Sequence, residues 1–327
     1  MKRFKRLLQL AAMGFAGLLL VTACGSGDGS TGQGDPSETE TISYGSWVTG
    51  APAVSNMWTH FLAEMPEIQE KHGIKFENTD YSSLQTLYTD LSRGRVQGVS
   101  AGPSTMAATA AQGAPVRMVG GVARSTAAIM STGKAWDAQS LKGSRMVAPT
   151  GTATWSEVQA QIEDTLGLKP GDYELVTSQD LGGAMTQLAA GSADYAMVWG
   201  EYIPNALQKF KNVKVIADPE TLAGEGNKPF WQFSVTVHKS VSDEAAAGLM
   251  ASIEEVVAWM KAHPEEVEKY AVSQKQVKGI ALDMIEGRQN FDVTPMDADL
   301  KAELEADFQN LVDMGKMEKM PPASFLE

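Results

Sequence analysis

Residues 166–202 read LGLKPGDYELVTSQDLGGAMTQLAAGSADYAMVWGEY, and the order of their patterns decides the fold. Leu168-Lys169-Pro170-Gly171 is a turn, and residues 173–177 follow as a strand. Leu181, Ala184, Met185, Leu188 and Ala189 then recur at helical spacing, which gives a helix one apolar face. Residues 194–199 are strand again. Strand, covering helix and strand in succession are the units of a mostly parallel sheet.

The same alternation extends in both directions. Upstream, residues 145–148 read as a strand and 152–166 as a helix stopped at Gly167; downstream, 213–217 is a further strand. Nearer the N-terminus, strands are expected at 42–46, 74–78, 96–100, 116–122 and 127–131. Helices fall between them at 54–65 and 84–91, the second capped by Ser82-Ser83. After Pro229, residues 231–238 alternate as a strand should, and 241–317 read as mainly helical. The expectation is an α/β chain of two lobes. Lobe 1 takes residues 42–127 plus 236–327 and lobe 2 residues 128–235. Two crossovers between them suit a hinge that closes on a ligand.

Composition narrows the function. The chain has 327 residues with 43% hydrophobic and 20% charged, which is globular rather than disordered. Asp and Glu number 40 against 27 Lys and Arg, and this acidic balance lacks the basic footprint that a phosphate backbone demands, so no nucleic-acid partner is expected. Four histidines and one cysteine leave little for a metal centre or a disulfide framework, and neither metal nor cofactor is expected.

The N-terminus reads as an export signal. Lys2, Arg3, Lys5 and Arg6 precede an apolar run from Leu7 to Leu20, and Val21-Thr22-Ala23-Cys24 closes it. That tetrapeptide resembles the bacterial lipoprotein lipobox. The resemblance implies a lipoprotein signal peptide over 1–23, diacylglycerol on the Cys24 thiol, and a mature chain anchored to the outer side of the cytoplasmic membrane. Loss of residues 1–23 takes the net charge from −13 to −17. Residues 24–41, rich in Gly, Ser and Thr, read as a flexible tether.

Three small-residue turns follow expected strands and open expected helices: residues 100–105, 149–154 and 178–180. In open α/β sheets ligands sit beyond the carboxyl ends of the strands, where helix N-termini favour anions. Each turn serves equally well as an ordinary helix cap. Aromatic residues gather at the same places: Tyr44, Trp47, Trp155, Trp199 and Trp231. A second functional class arises from Gly98-Val99-Ser100-Ala101-Gly102, which has the G-x-S-x-G spacing of a hydrolase nucleophile, with His238 or His263 downstream as base. Pro103 directly after it weighs against that reading. Met314, Met317 and Met320 have the spacing of thioether metal ligands but suit core packing better.

The segment 166–202, together with Arg93-Gly-Arg-Val-Gln-Gly-Val-Ser100, residues 112–117 and the closing stretch 315–322, resembles the nitrate/sulfonate/taurine-type solute-binding proteins of ABC importers, a family that includes thiamine-pyrimidine-precursor receptors. The similarity runs over about residues 42–322. It implies the type II periplasmic-binding-protein fold, two Rossmann-like lobes joined by a two-crossover hinge, and a monomer that hands its ligand to a membrane permease with its ATPase. It implies binding without catalysis. It also marks Trp47, Ser104, Thr152, Thr154, Trp199 and Glu201 as lying at positions equivalent to cleft-lining turns; the small-residue turns and the aromatics add Thr105 on the first lobe and Trp155 on the second, with Tyr44, Asp180 and Trp231 as further candidates. One departure matters: where the family often has Trp-Asp/Glu-Pro-Tyr, this chain has Trp199-Gly200-Glu201-Tyr202.

The ligand class suggested is a small organic anion or zwitterion, a sulfonate or carboxylate with or without an aromatic body; the alternative is a thiamine-pyrimidine-like or other nitrogen heterocycle. An anion approaching so acidic a chain needs local positive charge, and Arg117, Arg124 and Arg145 are the candidates.

Overall fold

The computed structural model describes residues 39–48, 52–178 and 180–327. The signal peptide, Cys24 and nearly all of the expected tether lie outside them. Within them, eleven strands run in chain order as β1 (Glu40–Trp47), β2 (Ile74–Tyr81), β3 (Gly98–Ala101), β4 (Val116–Arg124), β5 (Ala128–Ser131), β6 (Arg145–Ala148), β7 (Glu174–Thr177), β8 (Tyr195–Val198), β9 (Lys214–Ala217), β10 (Trp231–His238) and β11 (Phe291–Pro295). They form two sheets, β11-β4-β10-β3-β1-β2 and β7-β6-β8-β5-β9.

The two sheets share one plan. In each, the second, first and third strands lie side by side and parallel, followed by an antiparallel strand and then a fourth. The antiparallel member is β10 in the first sheet and β5 in the second, and each enters its sheet directly from a crossover. Such a strand starts at the edge facing the other lobe, so it runs against its neighbours. Register fixes the consequence. Trp231, which opens β10, pairs with Arg124 at the end of β4, and Ala128, which opens β5, pairs with Val198 at the end of β8. The carboxyl ends of the parallel strands in both sheets therefore point toward the seam between the lobes.

Both faces of each sheet are covered, which is why the strands read as near-continuous apolar runs. On the first sheet, Tyr44, Trp58 and Phe76 pack beneath the helix Asp243–Ala262, while Leu87, Met106, Phe308 and Phe325 fill the opposite face. The second sheet is covered by the Ala153–Leu166 helix on one side and the Leu181–Ala189 helix on the other. Local signals set the helix ends: the Ser83, Thr152 and Asp180 side chains accept from the backbone N–H groups of Thr86, Trp155 and Gly183, and Gly167 takes the left-handed conformation, φ 66°. Among the described residues, no helix is long and apolar enough to cross a membrane.

Three expectations need correction. The first strand begins at Glu40, within the expected tether, and pairs from its first residue with Ile74. β10 lies whole in the larger sheet, so the return crossover runs before Trp231, and a lobe boundary at 235/236 cuts a strand in two. The stretch 241–317, read as mainly helical, also contains β11. This five-residue strand pairs irregularly at the sheet edge, with a register shift between Phe291 and Thr294, and it is too short to break the helical periodicity on either side.

Candidate functional site

The crossovers hold each other. Ser125 donates its backbone N–H to the Phe230 carbonyl at 2.8 Å, and Thr126 donates to the Gln232 side chain at 3.0 Å. The Thr126 hydroxyl in turn accepts the backbone N–H of Gly200, tying the end of β8 to the first crossover. Beyond this hinge the strand ends of the two sheets face each other, and Glu201 makes a direct carboxylate bridge across them there. Its Oε1 accepts the backbone N–H of Val54 at 2.5 Å, where the chain after β1 turns into the Val54–Asn56 and Met57–Ala63 helical segments. Burial raises the Glu201 carboxyl above its ordinary range, while the bond from Val54 opposes the shift.

Farther along the seam, Ser104 and Thr105 from the start of the Pro103–Ala111 helix line a 520 Å³ groove together with Thr150, Gly151, Thr152 and Lys316. Three of the residues expected from sequence thus meet across the two lobes. The Thr152 hydroxyl is partly committed, donating to the Pro149 carbonyl at 2.9 Å and accepting from Trp155 N–H. Lys316 was not foreseen. It enters from the segment after the Ala298–Asp313 helix, and its Nζ donates to the Gln159 side chain of the other lobe.

The remaining candidates divide. Trp47 ends β1 and is 40% exposed, and Trp199 directly follows β8, half-buried against both cores of the second lobe. Thr154 lies in the first turn of the Ala153–Leu166 helix, half-buried. Tyr44, Trp155 and Trp231 are core residues rather than cleft residues. Tyr44 packs edge-on to Trp58 at 5.2 Å; Trp155 fills the second-lobe core; Trp231 lies 4.1 Å beneath the Arg124 guanidinium. Their places at strand ends and a helix start suggest pocket-mouth contacts, but at each site the side chain is buried in a core. Asp180 is an exposed helix cap.

The arginines do not supply a free positive charge. Arg124 bonds Asp292 and Glu303, Arg117 bonds Asp243 at 2.8 Å, and Arg145 bonds Glu174 at 3.1 Å. The hydrolase reading also lacks its geometry. Ser100 Oγ is buried beside the Tyr44 hydroxyl without a well-formed hydrogen bond. His60 pairs with Asp80, His72 with Glu255, His238 with Ser240, and His263 with the Trp259 carbonyl. None of the chain's four histidines reaches the serine. Met317 and Met320 pack into the first-lobe core.

No protein-family model matches the chain, and neither does any curated protein. Solved structures do. The periplasmic aliphatic sulphonate binding protein SsuA from Escherichia coli aligns with a TM-score of 0.71 at 15% identity, over 86% of this chain and 89% of that one. The alkanesulfonate-binding protein SsuA from Xanthomonas axonopodis pv. citri, bound to MOPS, aligns with 0.64 at 15% identity over 85% and 94%. An ABC transporter structure from Parabacteroides distasonis gives 0.67 at 13% identity over 89% and 99%. At these identities the likeness concerns architecture, and together with the shared strand order it establishes that the chain has the two-lobed, mixed α/β periplasmic-binding-protein fold.

Proposed function

We propose that the chain is the extracytoplasmic substrate-binding lipoprotein of an ABC importer, and that it captures a small organic anion or zwitterion, a sulfonate or carboxylate, between its lobes for delivery to a permease. One observation carries the reading: the parallel strands of both sheets end at one seam, spanned by Glu201 of the second lobe and Val54 of the first. Ligand-binding crevices of open α/β sheets form at such ends. That two similar folds are described as sulfonate-binding supports the ligand class.

The mechanism is binding without chemistry. A ligand held first by one lobe favours closure only through contacts that the closed form improves. Ser104 and Thr105 are the first-lobe contacts, and Thr152, Thr154 and Glu201 are the second-lobe contacts. Trp47 and Trp199 offer apolar area at the two strand ends. With all three candidate arginines paired, the hydroxyls and Lys316 are the groups left for an anionic head. Glu201 adds an acceptor suited to an ammonium or ring N–H, and it is the observation that favours the second reading, a nitrogen heterocycle.

A thermal-shift screen of the purified protein against sulfonates, aromatic carboxylates, pyrimidines, amines and inorganic anions tests the proposal. A ligand at a hundred times its dissociation constant adds about 2.7 kcal/mol, which at this size raises Tm by roughly 5 °C. A hit confined to organic sulfonates or carboxylates supports the first reading and one confined to pyrimidines the second. Covalent labelling of Ser100 by a serine-directed probe would overturn both.

A further inference from the structure

A second meeting of the lobes lies beside the ligand seam, and it is acidic. Glu157 and Asp164 come to it from the Ala153–Leu166 helix of the second lobe, and Glu303 and Asp307 from the Ala298–Asp313 helix of the first. All four line one pocket of 380 Å³, closed on a third side by the loop carrying Lys228.

The cations nearby are largely engaged. Arg124 is held by Asp292 at 2.6 Å and Glu303 at 2.7 Å, and Lys316 donates to Gln159. Lys228 stands on the pocket wall and makes no ion pair among the described residues. Asp164 is exposed to water, whereas Glu157 and Asp307 are the inner pair, one from each lobe, with no ion-pair partner among the described residues. Ser104 is the polar neighbour on the Glu157 side.

Burial and like charge act together on this pair. Glu157 is pushed up to about 8, chiefly by burial and then by Asp307, with Ser104 opposing. Asp307 is pushed up to about 7, by burial and then by Glu303, with Arg124 opposing. Parting of the lobes would open this pocket to water, where carboxyls have an ordinary range of about 4.

We propose that Glu157 and Asp307 form a proton-linked latch, so that the lobes close with the pair protonated and part as it ionises. Each carboxyl binds its proton more tightly in the closed form, and closing therefore takes up protons. Its contribution to closure is complete below about pH 4 and is lost as pH rises through about 7 to 8. Within that window the closed-to-open ratio falls roughly tenfold per pH unit for each proton exchanged. The device makes capture favourable in an acid medium whatever the ligand, and it requires of the receptor reading only that the two lobes move.

Small-angle X-ray scattering of the whole chain from pH 5 to 9, beside Glu157→Gln/Asp307→Asn, tests it. The expected result is a radius of gyration that rises in the native protein between pH 5 and about 8 and levels off above, and one that stays at its low-pH value in the double variant. Asp164→Asn should follow the native curve. A native radius that does not change with pH, or a double variant that changes identically, overturns the latch. Should the double variant fail to fold, carboxyl ¹³C titration of the native protein decides: midpoints near 7 to 8 for the pair support it, and midpoints near 4 overturn it. A ligand screen without a hit leaves these curves untouched, so the latch and the receptor reading fail separately.

Discussion

The Arg124 guanidinium lies 4.1 Å over the ring of Trp231 at the point where the two crossovers run side by side. The same group bonds Asp292 and Glu303 and donates to the Pro229 carbonyl at 3.0 Å, so one side chain joins β4, β10, β11 and the Ala298–Asp313 helix at the hinge. Removing one partner of a fully buried ion network costs about 3–5 kcal/mol, and less here because the Asp292 and Glu303 side chains are 34% and 33% exposed. Arg124→Ala is expected to lower Tm by roughly 4 °C in a calorimetric scan. Arg124→Lys should recover only part of the loss, since an ammonium cannot serve both carboxylates in a fork while stacking on the indole. A change of under about 1 °C on Arg124→Ala would remove the hinge role.

Gly98 belongs to the pentapeptide that mimics a nucleophile elbow, yet packing explains it. A Cβ at residue 98 would stand 2.6 Å from the Tyr44 ring, which is wedged between Trp58 and Phe76 and cannot retreat. Overpacking of this kind costs about 1–3 kcal/mol. Gly98→Ala should therefore lower the midpoint of urea unfolding with little change in slope. Gly151→Ala, where a Cβ meets open space, is the control expected to leave the midpoint in place.

How far the site was legible follows from what kinds of contact a sequence encodes. Helical spacing and capping residues are local, so the stripe from Leu181 to Ala189 and the caps at Thr152 and Asp180 were readable, and with them the parallel sheets. The direction in which a strand-end side chain points is not local. Tyr44 stands three residues before Trp47 on the same strand, yet Tyr44 is buried in the first-lobe core while Trp47 is 40% exposed, and Trp155, in the first turn of a helix, is buried in the second-lobe core. Contacts between lobes are less legible still. Lys316 stands 157 residues from Gln159, and Asp307 faces Glu157 from the far end of the chain; no spacing rule links them. The strand β11 escaped because five residues with an irregular register carry too little periodicity to interrupt a long helical region.

Ser100 gives a clean test between receptor and hydrolase. Its hydroxyl is buried beside that of Tyr44, and burial pushes the Tyr44 hydroxyl well above its ordinary range, so neither group is a base at neutral pH. Ser100→Ala removes a buried hydroxyl that lacks a well-formed hydrogen bond, and such a loss is close to neutral. The variant should match the native protein in Tm within about 1 °C. A serine-directed fluorophosphonate should label neither protein; labelling of the native chain that vanishes in the variant would establish a nucleophile.

Glu201 is the residue on which the cleft depends most directly, because its bond to Val54 exists only while the lobes are together. Glu201→Ala deletes that bond and is expected to weaken ligand binding about tenfold, the equivalent of 1.4 kcal/mol, by disfavouring the closed form. Glu201→Gln keeps an acceptor for the Val54 N–H and so separates two roles. If Glu201 acts only as a bridge, the Gln variant binds as the native protein does. If it also holds an ammonium or a ring N–H of the ligand, the Gln variant loses affinity for zwitterions and heterocycles while simple sulfonates are spared. The pH dependence has a fixed sign. Burial raises the carboxyl in the closed form, so its contribution to closure is present at acid pH and declines as pH rises past the ordinary carboxylate range. Titration calorimetry at pH 5.5 and 8 with both variants reads all three outcomes, and an affinity unchanged in Glu201→Ala would take the residue out of the site.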